Sequence, residues 1–89
     1  MNISVIEQNV KNALDNAAGE KDEYLYVSHI RANTIPTSAQ IEYEKYFKTK
    51  NIDNKIEIKE LKNNSNWTYE IIFYIKNPYF NVTNYFGEF

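Results

Sequence analysis

Eighty-nine residues, 43% of them hydrophobic and 25% charged, suit one domain of about 100 residues and leave no length for a second core. The absence of cysteine excludes a disulfide framework, a thiolate metal site and a Cys nucleophile. The net charge of −2 and the pI near 5.3 weigh against nucleic acid as the main partner.

The elements are expected in the following order. Ile3, Ile6, Val10, Ala13, Leu14 and Ala17 recur at helical spacing, which predicts an amphipathic helix over about residues 3 to 18. Asn2 or Ser4 with Glu7 is its expected N-cap, and Gly19 its left-handed C-cap. A charged turn, Glu20 to Glu23, leads to Tyr24-Leu25-Tyr26-Val27-Ser28-His29-Ile30-Arg31, whose β-branched and aromatic content predicts a strand. Asn33 to Pro36 breaks it. For residues 38 to 49 two patterns compete. Thr37 or Ser38 as N-cap with Ala39, Tyr43, Tyr46 and Phe47 favours a short helix, whereas Ile41 and Tyr43 alternating with polar neighbours favour a strand; we read helix. Residues 55 to 61 alternate at period 2, and 67 to 76 are the strongest strand, the two forming a hairpin. That last strand is apolar on both sides, so it is expected to be covered on both faces and to be central, with Trp67, Tyr69 and Phe73 in the core. Asn77-Pro78 ends it, and residues 78 to 89 form an aromatic tail with room for a further short strand.

The expected fold is therefore α+β: one domain over 1–89, with an antiparallel sheet of three or four strands, the N-terminal helix on one face and a possible second helix. So short a chain without cross-links is expected to be stable by only a few kcal/mol, and a homodimer or partner would complete its core. No apolar run approaches the ~18 residues of a membrane span, and no basic run opens the chain, so no membrane insertion or secretory signal is expected and a cytoplasmic location is.

Catalysis needs convergent titratable groups, and one His29, one Arg31 and scattered carboxylates do not supply them; no enzyme, cofactor or metal is expected. Charge is unevenly spread. Residues 1–44 carry seven acids against three bases, while 45–62 carry six lysines against three acids. The acids Glu20, Asp22, Glu23, Glu42 and Glu44 are one candidate surface for a protein partner, including the basic groove of a nucleic-acid-binding enzyme. The aromatics Tyr79, Phe80, Tyr85, Phe86 and Phe89 are a second candidate, because Tyr and Phe are enriched at interfaces. Lys45, Lys48, Lys50, Lys55, Lys59 and Lys62, with Tyr46, Trp67 or Tyr69 to stack on bases, are the candidate site if the partner is nucleic acid.

Asn, Ile, Lys and Tyr, all with AT-rich codons, supply nearly half the chain against a single arginine, as an AT-rich bacterium or its phages would produce. In size, acidity and lack of catalytic groups the chain resembles the small phage and mobile-element proteins that bind and disable host machinery, anti-restriction and anti-CRISPR inhibitors among them. That likeness implies a stoichiometric inhibitor of a host protein. The alternatives are a nucleic-acid-binding accessory protein and a phage structural or assembly protein.

Overall fold

The computed structural model describes residues 3–62 and 66–80. They form helix α1 (Ile3–Asp15), strand β1 (Tyr24–Ala32), helix α2 (Ser38–Thr49) and strands β2 (Asn54–Glu60) and β3 (Tyr69–Lys76). The strands make one antiparallel sheet in the order β1-β3-β2, so the most apolar strand is central, as its composition predicts, and the fold is α+β. Central placement follows from physics: Ile71, Phe73 and Ile75 alternate onto one face and are 0 to 1% exposed.

Both helices cover that face. Ile6 and Val10 of α1 and Tyr43 and Phe47 of α2 join Leu25, Val27, Ile71, Phe73 and Ile75 in one cluster. At its centre the Tyr43 ring stacks on Phe73, with centroids 4.1 Å apart and planes at 11°. The Tyr43 hydroxyl accepts a 2.9 Å hydrogen bond from the Asn9 side chain, which satisfies a buried oxygen and ties α2 to α1.

The second helix is real, and its ends explain why. Thr37 is the N-cap, its Oγ1 accepting from the Gln40 N–H at 3.0 Å. At the other end Asn51 takes a positive φ of 55°, and the N–H groups of Asn51 and Ile52 donate to Lys48 and Phe47 carbonyls at 3.2 and 2.8 Å. This is a Schellman closure, and it returns Ile52 to the core.

Four expectations are corrected. The helical stripe runs to Ala17, but α1 stops at Asp15: the Asn16 side chain donates to the Asn12 carbonyl at 2.8 Å, and the chain turns with Ala17 N–H bonded to Leu14 at 3.1 Å. Ala17 is still buried, in the turn, and Gly19, with φ of 104°, serves that turn rather than capping the helix. Ser4 lies inside α1, so it is not the N-cap, and Asn2 lies outside the described residues. Trp67 is 44% exposed, because β3 begins only at Tyr69 and the residues before it belong to the connection from β2.

A candidate docking groove at the edge of the sheet

β1 is an edge strand. It pairs with β3 on one side, and among the described residues no strand borders the other. Residues 24–27 at this free edge form one wall of a groove of about 370 Å³. Asn9, Asn12 and Asn16 of α1, at i, i+3 and i+7, form the other wall, and Glu20 and Asp22 close one end. A β-bulge between Tyr26 and Ser28 inserts Val27 and bends the strand where the groove ends.

The closing turn is held from a distance. Asn77, 1% exposed, donates from Nδ2 to the carbonyls of Glu20 and Asp22, both at 3.1 Å. Its backbone N–H donates to the Glu23 carbonyl at 2.8 Å, and its Oδ1 accepts from the Tyr79 N–H at 2.9 Å. With its backbone carbonyls fixed, this turn presents Glu20 and Asp22 beside the mouth of β1 without a cation in the groove lining.

The five candidate acids do not form one surface. Glu23 reaches the outer side of the sheet, where its carboxylate pairs with Lys76 at 2.6 Å. That hydrogen bond holds the Lys76 ammonium above the usual lysine pKa, against an opposing effect of burial. Glu44 accepts from the Gln40 side chain at 3.2 Å on α2. Glu42 lines a second cavity of about 400 Å³ between the start of α1 and the end of α2.

The lysines are divided as well. Lys45 and Lys50 line that second cavity with Glu42 and Glu7, so opposite charges offset one another there. Burial, and then Glu7, push up the pKa of the Tyr46 hydroxyl in the same cavity. Lys48 sits in the last turn of α2, favourable to the helix dipole. Lys55 and Lys59 pair across from Tyr74 and Glu70 and so lie on the outer face of the sheet, opposite the helices. Lys62 lies beyond β2.

That outer face has a character the sequence reading missed. Cover is expected on both faces of β3, but among the described residues the helices lie on the inner face alone; the outer face carries Tyr26, His29 and Arg31 of β1, Glu70, Ile72 and Tyr74 of β3, and Lys55 of β2. Tyr26 packs edge-on to Tyr74, and its hydroxyl hydrogen-bonds His29 Nδ1. Burial, then the Glu70 charge, raise the Tyr26 pKa. The Lys55 ammonium stands 5.5 Å from the Tyr74 ring centroid, and Arg31 pairs with Glu70 at 3.2 Å.

Of the aromatic tail, Tyr79 is 47% exposed and the Phe80 ring lies 5.0 Å from the Lys76 ammonium, while Tyr85, Phe86 and Phe89 lie outside the described residues. Among the described residues no three His, Asp or Glu side chains gather as a metal cage, and no helix is long and apolar enough to cross a membrane. The sequence signal for the groove was available but unspecific: three Asn at helical spacing beside a strand with almost no charge. No family model, curated protein or solved structure matches the chain.

Proposed function

We propose that the protein is a non-catalytic, protein-binding module that acts by stoichiometric contact with a host protein. The observation that carries this reading is the groove along β1, in which an unpaired strand edge, a row of amide side chains and two carboxylates without a cation face the same space. Small size and AT-rich composition support placing it among phage or mobile-element inhibitors of the anti-restriction or anti-CRISPR kind. The test is capture by the tagged protein from nuclease-treated lysate of an AT-rich bacterial host. One protein retained near 1:1, and released by the Glu20→Lys, Asp22→Lys double substitution, is the expected result. Retention that disappears with nuclease overturns it.

A second reading rests on the outer face of the sheet. Tyr26, His29 and Tyr74 are exposed or half-buried rings beside Lys55, Lys59 and Arg31, the arrangement on which single-stranded nucleic acid stacks. The overall charge of −2 and the pairing of Arg31 with Glu70 and of Lys59 with Glu57 at 3.5 Å place it second. Its mark would be affinity for an oligonucleotide that falls steeply with salt and is lost in Tyr26→Ala, Tyr74→Ala. No binding at low salt removes it.

A further inference from the structure

The two edges of the sheet are built differently. β2, Asn-Lys-Ile-Glu-Ile-Lys-Glu, carries Lys55, Glu57, Lys59 and Glu60 among its seven residues, and such charge blunts an edge against pairing with another chain. β1, Tyr-Leu-Tyr-Val-Ser-His-Ile-Arg-Ala, is nine residues long, and its single full charge, Arg31, lies near the far end. Over residues 24–27 nothing of the kind guards it. The groove beside this stretch is lined on the α1 side by amides too short to fill the space; Asn9 donates to Tyr43, Asn12 accepts from Gln8 and Asn16 donates to the Asn12 carbonyl, and each amide retains further donor or acceptor capacity suited to a peptide.

We infer that the free edge of β1 takes up an extended segment of a partner protein by strand addition, with a basic side chain of that segment held against Glu20 and Asp22. This deepens the protein-binding reading and rests on it. The length is set by geometry: at ~3.4 Å per residue, the stretch from Tyr24 to the bulge at Val27 pairs with about four residues of the incoming chain. Backbone hydrogen bonds along Tyr24 to Val27 supply the pairing, alternate side chains of the segment meet the row of Asn9, Asn12 and Asn16, and the carboxylates set its direction and charge preference.

The other occupants fit less well. A second copy docked symmetrically on the same stretch places the Glu20 and Asp22 carboxylates of both copies around one short pairing, where like charges repel. A nucleic acid meets the same carboxylates with its phosphates.

The test uses the full-length, isotope-labelled protein and a displayed library of random heptapeptides. Selection is expected to enrich peptides with β-branched residues next to Lys or Arg. Adding such a peptide should shift the amide resonances of residues 24–27 and the Asn9, Asn12 and Asn16 side-chain amides. The double variant Glu20→Lys, Asp22→Lys should weaken it by roughly tenfold or more, and a peptide with Glu in place of Lys should recover that loss. Strand addition has a signature that simple groove filling lacks, because alternate backbone N–H groups of an added strand point toward and away from the neighbour. N-methylation at alternate peptide positions should therefore abolish binding in one phase and leave it unchanged in the other.

Equal effects in both phases, no enriched peptide, or shifts confined to the outer face around Tyr26 and Tyr74 each overturn the inference. So does concentration-dependent broadening of residues 24–27 in the protein alone, which assigns the edge to a second copy. A partner captured from lysate that leaves residues 24–27 unperturbed sinks strand addition while the protein-binding reading survives; failure of capture sinks the latter.

Discussion

β3 turns Ile71, Phe73 and Ile75 toward the helices and Glu70, Ile72, Tyr74 and Lys76 away from them, and the two sets hold their places by different physics. The inner set is dry, close-packed and organised around the stack of Tyr43 on Phe73. The outer set is held by partial burial between neighbouring strands: Ile72 is 7% exposed because His29 and Glu57 flank it, and ion pairs and rings surround it. Loss of inner contacts should be felt by the whole fold, whereas the outer face should tolerate change and thereby remain available for binding.

The sharpest way to break that contrast is to truncate one ring on each face. Phe73→Ala should cost about 3–5 kcal/mol, a large part of the stability of a domain this small, with the loss read as a lower urea midpoint. Tyr74→Ala should cost less than about 1 kcal/mol, as expected of a partly exposed side chain. Equal losses would mean that the outer face is covered in solution. Within the inner face, Tyr43→Phe keeps the stack and removes the acceptor for Asn9, for an expected loss of about 1 kcal/mol.

Alkaline pH sharpens the comparison from the other side. Lys76 has its pKa raised by the hydrogen bond from its ammonium to Glu23, so its contribution is complete below the ordinary lysine value and is lost as pH rises through the higher folded value. The raised pKa values of Tyr26 and Tyr46 act in the same direction, because the unfolded chain loses those protons first. The urea midpoint should therefore fall above about pH 10, and Lys76→Met should flatten part of that fall. A midpoint that rises over this range contradicts all three directions. The smallest effect is expected from Arg31→Gln, which opens the pair with Glu70; its loss should be under about 1 kcal/mol and should shrink with added salt.

How far the sequence foretold this depends on the residue. Alternation through Ile71, Phe73 and Ile75 identified the central strand, because flanking strands on both sides keep even its outward Ile72 at 7% exposure; cover over the outer face did not follow from the same pattern. Thr37 foretold the start of α2, since a hydroxyl acceptor serves helix N–H groups wherever the chain leads afterwards. The end of α1 was not legible: Ala17 satisfies the helical spacing and is buried, but in a turn, and apolar periodicity does not distinguish the two. The six lysines are divided for a geometric reason, since neighbours in sequence cross a helix, a turn and a strand whose polar face points away from that helix. Of the groove, Glu20 and Asp22 were legible as charge; the spacing of Asn9, Asn12 and Asn16 was visible but unspecific, because amides on a helix point to no groove until a strand edge is placed beside them.

Asn77 sets how this groove opens and closes. Its amide joins the carbonyls of Glu20 and Asp22 to the end of β3, across more than 50 positions of chain. The turn before β1 therefore cannot fray alone, and it detaches only when the end of the central strand detaches with it. In hydrogen exchange the amides of Glu20, bonded to the Ala17 carbonyl, and Asn77, bonded to the Glu23 carbonyl, should open as one cooperative unit, and Asn77→Ala should uncouple them before it unfolds the sheet.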